Sequence, residues 1–139
     1  MTGYLLDTNV VSELSRDVPN PEVIAFLSDE DDLWLSSVVI HEIEYGLELL
    51  PVGRRRDLLS EIQYSVMLAY ENRILPFDRA AAECAARLRA EARRAGRVVD
   101  LGDVLIAGTA KVHELTVATR NVRDFDGLGI DVFDPWTFR

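Results

Sequence analysis

The chain has 139 residues, of which 48% are hydrophobic, and its formal net charge is −9. This length fits one domain with a real core, and no apolar run approaches the roughly 18 residues that span a bilayer. The negative charge argues against a protein that holds nucleic acid by bulk electrostatics alone. Since the N-terminus also lacks the pattern of a signal peptide, we expect a cytoplasmic protein without a membrane segment.

The predicted elements alternate between short strands and helices. In chain order, strands are predicted at 3–7, 33–36, 74–77, 115–119 and 130–133, and helices at 9–16, 21–28, 38–50, 54–70, 81–96 and 102–113. Asn20 is predicted to cap the second helix and Ser37 the third. Strands separated by helices imply right-handed crossovers, and hence an α/β fold with a mainly parallel sheet and helices on both faces. In such a sheet the site lies at the carboxyl ends of the strands.

The first predicted strand ends in Asp7, which is followed by Thr8 and Asn9. This sequence places a carboxylate, a hydroxyl and an amide at the carboxyl edge of the sheet. The same three residue types also cap helices, so Asp7 taken alone fits a structural role equally well.

The third predicted helix carries an acid, Glu42, on its apolar side. The stripe that includes Glu42 is otherwise apolar or small: Val39, Ile43, Gly46 and Leu50. An acid on an apolar stripe is costly unless it is paired or binds a metal, which favours a functional role for Glu42. Glu44 and Glu48 fall on or near the opposite face and are predicted to be solvated. A glycine inside a helix is unfavourable, so Gly46 predicts close backbone packing at that point.

Acids also occur near the starts of later elements. Asp103 opens a helix that is otherwise apolar, and its alternative role is that of a helix N-cap. Asp100, three residues earlier, is either an acid that supports the site or a surface loop residue, and the loop role is favoured. Thr119, Asn121 and Asp124 follow the fourth strand and again lie at a carboxyl edge, although Asp124 is equally compatible with a turn.

These acids are expected to meet, because a doubly wound sheet brings such strand ends and helix starts together. Two unit charges 4 Å apart repel by about 4 kcal/mol at an effective dielectric of 20, so the cluster needs raised pKa values or a divalent cation. Oxygen ligands favour Mg²⁺ or Mn²⁺, whereas two unsuitably spaced histidines and one cysteine give a zinc site no support. Such a site suits phosphodiester hydrolysis.

Five segments together resemble PIN-domain proteins of the VapC/FitB type. They are LLDTNVVSEL, HEIEYGLELL, RILPFD, DVLIAGTAKVHELTVATRNVRDF and DPW, and they extend from Tyr4 to Trp136. Each motif is short, but their order and spacing are specific. The resemblance implies a single PIN domain over residues 1–139, with a parallel sheet in the strand order 3-2-1-4-5.

The resemblance also implies a Mg²⁺- or Mn²⁺-dependent endoribonuclease that is the toxin of a toxin–antitoxin pair. The family's catalytic, metal-binding acids fall on Asp7, Glu42, Asp103 and Asp124. Its supporting polar positions fall on Asn9, Thr119 and Asn121. The implied partners are an RNA substrate, a cognate antitoxin and a second copy in a homodimer, with DNA contacted only through the antitoxin and no membrane. Glu114 stands where many relatives carry Gly.

An antitoxin helix is expected to lie in a groove between the helices at 21–28 and 38–50. The candidate exposed anchors there are Trp34, Tyr45 and Leu49. A basic segment of the same partner would be attracted to the acidic site, where an arginine could pair with Asp7 or Asp103. The apolar residues could equally complete the core or a homodimer interface.

Two other function classes stay open. The first is a non-catalytic module that uses the acidic pocket only to dock a partner. The second is an aspartyl-phosphate phosphotransfer protein with Asp7 as the acceptor. Receiver domains need a lysine at a later strand end, whereas Lys111, the only lysine, is predicted inside a helix. Related phosphatases need an aspartate where Asn9 stands. The basic clusters at 54–56 and 87–97 are either solvated helix faces or phosphate contacts.

Overall fold

A computed structural model describes residues 3–139. Within this range the strands are β1 (Tyr4–Leu6), β2 (Leu33–Ser36), β3 (Ile74–Leu75), β4 (Thr116–Ala118) and β5 (Val132–Phe133). The helices are α1 (Thr8–Glu13), α2 (Pro21–Asp29), α3 (Ser37–Leu49), α4 (Arg54–Ala69), α5 (Arg79–Arg94) and α6 (Leu101–Val112), with 3-10 helices at Val122–Phe125 and Pro135–Thr137. The predicted elements are all present, with ends that differ by a few residues. In the described range, no helix is long and apolar enough to cross a membrane.

All five strands pair in parallel, in the order β3-β2-β1-β4-β5. This confirms both the parallel sheet and the strand order that the resemblance implied. The order reverses at β1, so the carboxyl end of β1 faces the crevice where such sheets form their sites. Asp7 is the first residue beyond that end.

Helices cover both faces of the central strand. Leu5 and Leu6 are 0% and 1% exposed, and successive strand side chains point to opposite faces, so neither face meets solvent. On one face Phe26 of α2 packs against Tyr4 and Phe133, with ring centroids 4.9 and 5.5 Å away. This burial holds β1 rigidly, and with it the residue that follows.

Helices α5 and α6 make an unusually close contact at Gly108. A Cβ atom at this position would lie 2.7 Å from the Cβ of Ala85, 2.8 Å from the Ala85 nitrogen and 2.9 Å from the Ala81 carbonyl oxygen. Two of these atoms belong to the backbone and cannot move aside. Gly108 therefore lets α6 pack directly on α5, which fixes the start of α6.

Replacing Gly108 with Ala is expected to destabilise the protein by about 2 kcal/mol, because overpacking against backbone forces the helices apart. Thermal unfolding should show a Tm lower by roughly 6 °C. Gly46→Ala is the matched control, because a Cβ there would meet nothing within 4 Å. That change should instead stabilise the helix by about 1 kcal/mol. Equal Tm values for the two variants would contradict this account of the α5–α6 contact. The open space at Gly46 also shows that the predicted close packing there was wrong.

Two local expectations, the cap of α3 and the backbone at Glu114, can be compared with the structure. Ser36, not Ser37, caps α3, since its hydroxyl accepts a hydrogen bond from the Val39 nitrogen at 3.2 Å. The Ser37 hydroxyl instead accepts from the Phe77 nitrogen at 2.8 Å, which ties α3 to the segment after β3. Glu114 has φ of +55°, so a residue that stands in place of glycine does adopt the left-handed conformation, at a cost of about 1 kcal/mol.

Candidate active site

The ends of β1 and β4 are joined by a hydrogen-bond network around Asp7. The Asp7 nitrogen donates to the Ala118 carbonyl at 2.9 Å, and the Thr119 hydroxyl donates to Asp7 Oδ2 at 2.7 Å. Asn9 Nδ2 donates to Thr119 Oγ1 at 3.1 Å and lies 3.4 Å from Asp7 Oδ2. The Asn121 nitrogen donates to the same threonine oxygen at 3.0 Å. Asp7, only 5% exposed, is thus held in one orientation by residues of the other strand end.

The Asp7 side chain also meets the start of α1, because its Oδ1 accepts from the Thr8 nitrogen at 2.7 Å. The capping role considered for Asp7 is therefore real, and it leaves Oδ2 to the threonine network. Thr8 in turn donates its hydroxyl to Glu42 Oε2 at 2.9 Å. One short segment, 7–9, consequently orients carboxylates from two elements.

Helix α3 presents Glu42 on its inner side and the other acids to solvent. Glu42 is half-buried, whereas Glu44 and Glu48 are exposed, and Glu48 pairs with Arg56 at 3.0 Å. The predicted division of the helix into two faces is confirmed.

Asp103 is not the N-cap of α6. The capping position belongs to Asp100, and Asp103 lies in the first turn of the helix. Asp124 lies in the 3-10 helix Val122–Phe125, so the turn that was considered as its alternative role is present. All three aspartates line one cavity of about 490 Å³ beside the carboxyl ends of the strands.

Gly102 allows Glu42 of α3 to approach Asp100 at the start of α6. A Cβ at this position would lie 2.8 Å from Glu42 Oε1 and 3.3 Å from Asp100 Oδ2. The Glu42 carboxylate therefore rests against the first turn of α6, next to Asp100. The sequence analysis did not identify Gly102, and for Asp100 it favoured a loop role over a supporting role in the site. The run Asp100–Asp103, with a glycine between two acids at a helix start, was the available signal.

The carboxylates affect one another's pKa values. Burial, followed by the charges of Asp7, Asp100, Asp124 and Glu42, raises the pKa of Asp103 to about 7. Burial is also the largest cause that raises the pKa of Asp7, against the hydrogen bond from Thr119, which lowers it. The pKa of Glu42 is raised by burial and, less strongly, by Asp7 and Asp100. The structure therefore brings Asp7, Glu42, Asp103 and Asp124 into one electrostatically coupled group.

The chemistry of this group fits a hard divalent cation. Its members are oxygen donors, and burial together with mutual repulsion raises the pKa values of Asp7, Glu42 and Asp103, so a bound cation would relieve that repulsion. The side chains do not form a closed coordination shell. Among residues 3–139, no three His, Cys, Asp or Glu side chains are arranged to hold one ion. Hydrogen bonds to Thr8 and Thr119 account for this in part, since they direct the Glu42 and Asp7 oxygens to protein donors.

Of the three residues expected to be exposed anchors for a partner, the structure exposes two. Tyr45 and Leu49 are 59% and 67% exposed, as expected. Trp34 is not an exposed anchor, because its ring packs on the core beneath the Arg73 guanidinium and its Nε1 donates to Asp32 at 2.6 Å. A groove beside Glu42 lies between α1, α3 and α4, and the expected docking of a partner helix between α2 and α3 stays a prediction.

Known proteins with this sequence pattern share its length and fold. Residues 4–129 match the protein family described as "PIN domain". Toxin FitB of Neisseria gonorrhoeae is 40% identical over 95% of this chain and 97% of its own length. VapC ribonuclease Y4jK of Sinorhizobium fredii is 37% identical over 95% and 96%. A chain in the solved structure of FitAB bound to an IR36 DNA fragment superposes with a TM-score of 0.89, at 38% identity over 98% of this chain and 97% of that one.

Proposed function

This chain belongs to the PIN-domain family, and on that premise we propose that it is a Mg²⁺- or Mn²⁺-dependent endoribonuclease and the toxin of a toxin–antitoxin pair. The observation that carries the proposal is the coupled carboxylate group at the carboxyl end of β1. Relatives that match almost end to end are named a toxin and a ribonuclease, which supports the same reading. Both RNA and an antitoxin that binds DNA would be met in the cytoplasm.

We propose that Asp7, Glu42, Asp103 and Asp124 hold the cation, with Asn9, Thr119 and Asn121 as supporting residues. A divalent cation in such a site lowers the pKa of bound water and stabilises the negative charge that develops on the phosphate. The chain's own contribution is orientation. Thr119 and Asn9 fix Asp7, and Thr8 fixes Glu42. Without a cation, Asp103 has a pKa of about 7. A cation bound beside it would lower that pKa, because it favours the ionised carboxylate.

The phosphotransfer alternative is disfavoured by the surroundings of Asp7. Both of its carboxylate oxygens accept short hydrogen bonds, and the side chain is almost completely buried, so it is poorly exposed as a phosphate acceptor. Lys111 lies within α6, as predicted, where it is exposed, and not at a strand end. The non-catalytic binding module is the alternative that the following experiment decides.

Purified protein is expected to cleave mixed-sequence RNA when Mg²⁺ or Mn²⁺ is present. Fragments resolved on a denaturing gel are the measurement, and Glu44→Gln protein, altered only at an exposed acid, is the matched active control. A folded protein that binds RNA or a partner but produces no fragments with either metal would support the binding module instead.

The proposed antitoxin should suppress this cleavage. Co-expression with the small protein encoded beside the gene is expected to yield a stable complex, and removal of that partner's basic segment should restore cleavage. An arginine of the segment would meet Asp103 and Asp124 at the cavity rather than Asp7, which is buried. Active, non-toxic protein that never co-purifies with a partner would contradict the antitoxin and leave the nuclease intact. The expected homodimer stays a prediction.

Replacing Gly102 with Ala is expected to lower cleavage about tenfold or more, because small displacements of a reacting group are costly. The new Cβ would press on Glu42 Oε1, the mobile end of a side chain, so the carboxylate should move while the fold persists. Initial cleavage rates and Tm are the measurements, and Gly46→Ala again serves as the helical glycine control. Unchanged cleavage by the Gly102→Ala protein would show that the position of Glu42 is not critical.

A further inference from the structure

The cavity that contains the three aspartates is also lined by two arginines, Arg97 and Arg123. Arg97 precedes α6 in the chain and Arg123 lies in the 3-10 helix after β4, so each arginine comes from a segment that also contributes an acid. Within residues 3–139, neither guanidinium forms a salt bridge with a carboxylate, although three carboxylates line the same cavity. In the described chain, the two guanidinium groups are thus not paired with the nearby carboxylates.

Arg97 is fixed in place by the end of α5. Gly96 has φ of +81°, its nitrogen donates to the Arg93 carbonyl at 3.0 Å, and the Arg97 nitrogen donates to the Ala92 carbonyl at 2.8 Å. This pair of bonds is a Schellman motif, which sets the direction of the chain after the helix. The guanidinium then lies against Gly127, where a Cβ would come within 2.5 Å of Nη1. The half-buried guanidinium of Arg97 therefore lies between Gly127 and the cavity that the acids line.

A second cavity of about 320 Å³ continues from the first. It shares Arg97, Val98 and Val99 with the acidic cavity and adds Arg89 and Arg93 from the last turns of α5. Among the described residues, these two arginines also form no salt bridge. The four arginines thus mark a continuous line that starts at the acids and runs back along α5.

We propose that Arg123, Arg97, Arg93 and Arg89 form a phosphate track that binds the RNA backbone as it leaves the acidic cavity along the end of α5. The proposal rests on the proposed ribonuclease function and adds the path of the substrate. A chain with net charge −9 repels RNA overall, so binding needs cations placed locally along the backbone. Arginine suits this role, because its planar guanidinium pairs with two phosphate oxygens. Of the two basic clusters in the sequence, the one at 87–97 is adjacent to the acids through Arg97.

The test compares arginine-to-glutamine variants that remove the same charge at different places. The track variants are Arg97→Gln, Arg123→Gln and the double change of Arg89 and Arg93. Arg87→Gln is the matched control, because Arg87 is exposed on α5, forms no salt bridge in the described chain and lines neither cavity. Binding of mixed-sequence single-stranded RNA is measured at several salt concentrations in a Glu42→Gln background with Mg²⁺, and cleavage kinetics in the wild-type background.

Each lost phosphate contact is expected to reduce the slope of log K against log salt by about 0.7. The Michaelis constant should rise roughly tenfold for each cavity arginine, while kcat changes little. Arg97→Lys should keep the salt slope, since it keeps the charge. A structural role would lower Tm without altering the slope. Slopes equal to that of Arg87→Gln would overturn the track. Absence of cleavage by the wild type would contradict the proposed function separately, and the salt slopes would still decide the track.

Discussion

Replacing Glu42 with Gln is expected to abolish RNA cleavage, whereas the same change at Glu44, two residues along α3, should leave the rate within about twofold of wild type. Glu42 is half-buried beside Asp7 and Asp100 and is oriented by the Thr8 hydroxyl, while Glu44 points to solvent. Loss of a carboxylate that contacts the reacting group or its cation typically costs at least about a hundredfold to a thousandfold. Asp7→Asn and Asp103→Asn should have losses of the same order.

Melting temperatures distinguish the loss of a catalytic carboxylate from misfolding of the variant. The pKa of Asp103 is about 7 in the folded protein, above its ordinary value of 3.8. As the pH rises from about 4 to about 7, the unfolded chain loses this proton before the folded protein does, so the free energy of unfolding of the wild type falls. Metal-free Asp103→Asn protein should therefore melt above wild type at pH 8, and the difference should vanish below about pH 4, where both side chains are neutral. An inactive Asp103→Asn variant that melts well below wild type would indicate structural damage instead. Equal losses for Glu42→Gln and Glu44→Gln would show that the helix faces were wrongly assigned.

The sequence predicted the parallel sheet and the acids that the structure brings together at its carboxyl edge. Alternation of apolar strands and helical periods was sufficient for the parallel fold, because both faces of a strand such as Leu5–Leu6 must be buried. Helical periodicity alone separated Glu42 from Glu44. These are regular elements, in which spacing along the chain fixes direction in space.

The remaining parts of the site depend on contacts between segments distant in sequence. Gly102 lies against the Glu42 carboxylate, and Gly127 lies against the Arg97 guanidinium. No local sequence pattern predicts either contact. Trp34 is not an exposed anchor, because the Arg73 guanidinium covers its ring and Asp32 accepts a hydrogen bond from its Nε1. Caps are equally sensitive to a shift of one residue, as Ser36 and Ser37 show. Tertiary neighbours, not propensity, decided these positions.

Removal of divalent metal is expected to abolish cleavage completely, and return of Mg²⁺ or Mn²⁺ should restore it. The reason is that, in the proposed mechanism, the cation held by the acids beside Asp7 activates the water that attacks the phosphate. The same ion should stabilise the fold, because a ligand that binds only the folded state adds about 2.7 kcal/mol at one hundred times its Kd. Cleavage after EDTA treatment and thermal melting with and without metal are the measurements.

The Glu42→Gln and Glu44→Gln proteins make this prediction specific to the site. Both lose one negative charge from α3, so any general effect of Mg²⁺ on an acidic surface should be alike in the two. The metal-dependent rise in Tm should persist in Glu44→Gln protein and shrink in Glu42→Gln protein, since only Glu42 belongs to the coupled carboxylate group. A rise of the same size in both would place the ion elsewhere on the surface. Full cleavage by wild-type protein in excess chelator would contradict a metal-dependent mechanism altogether.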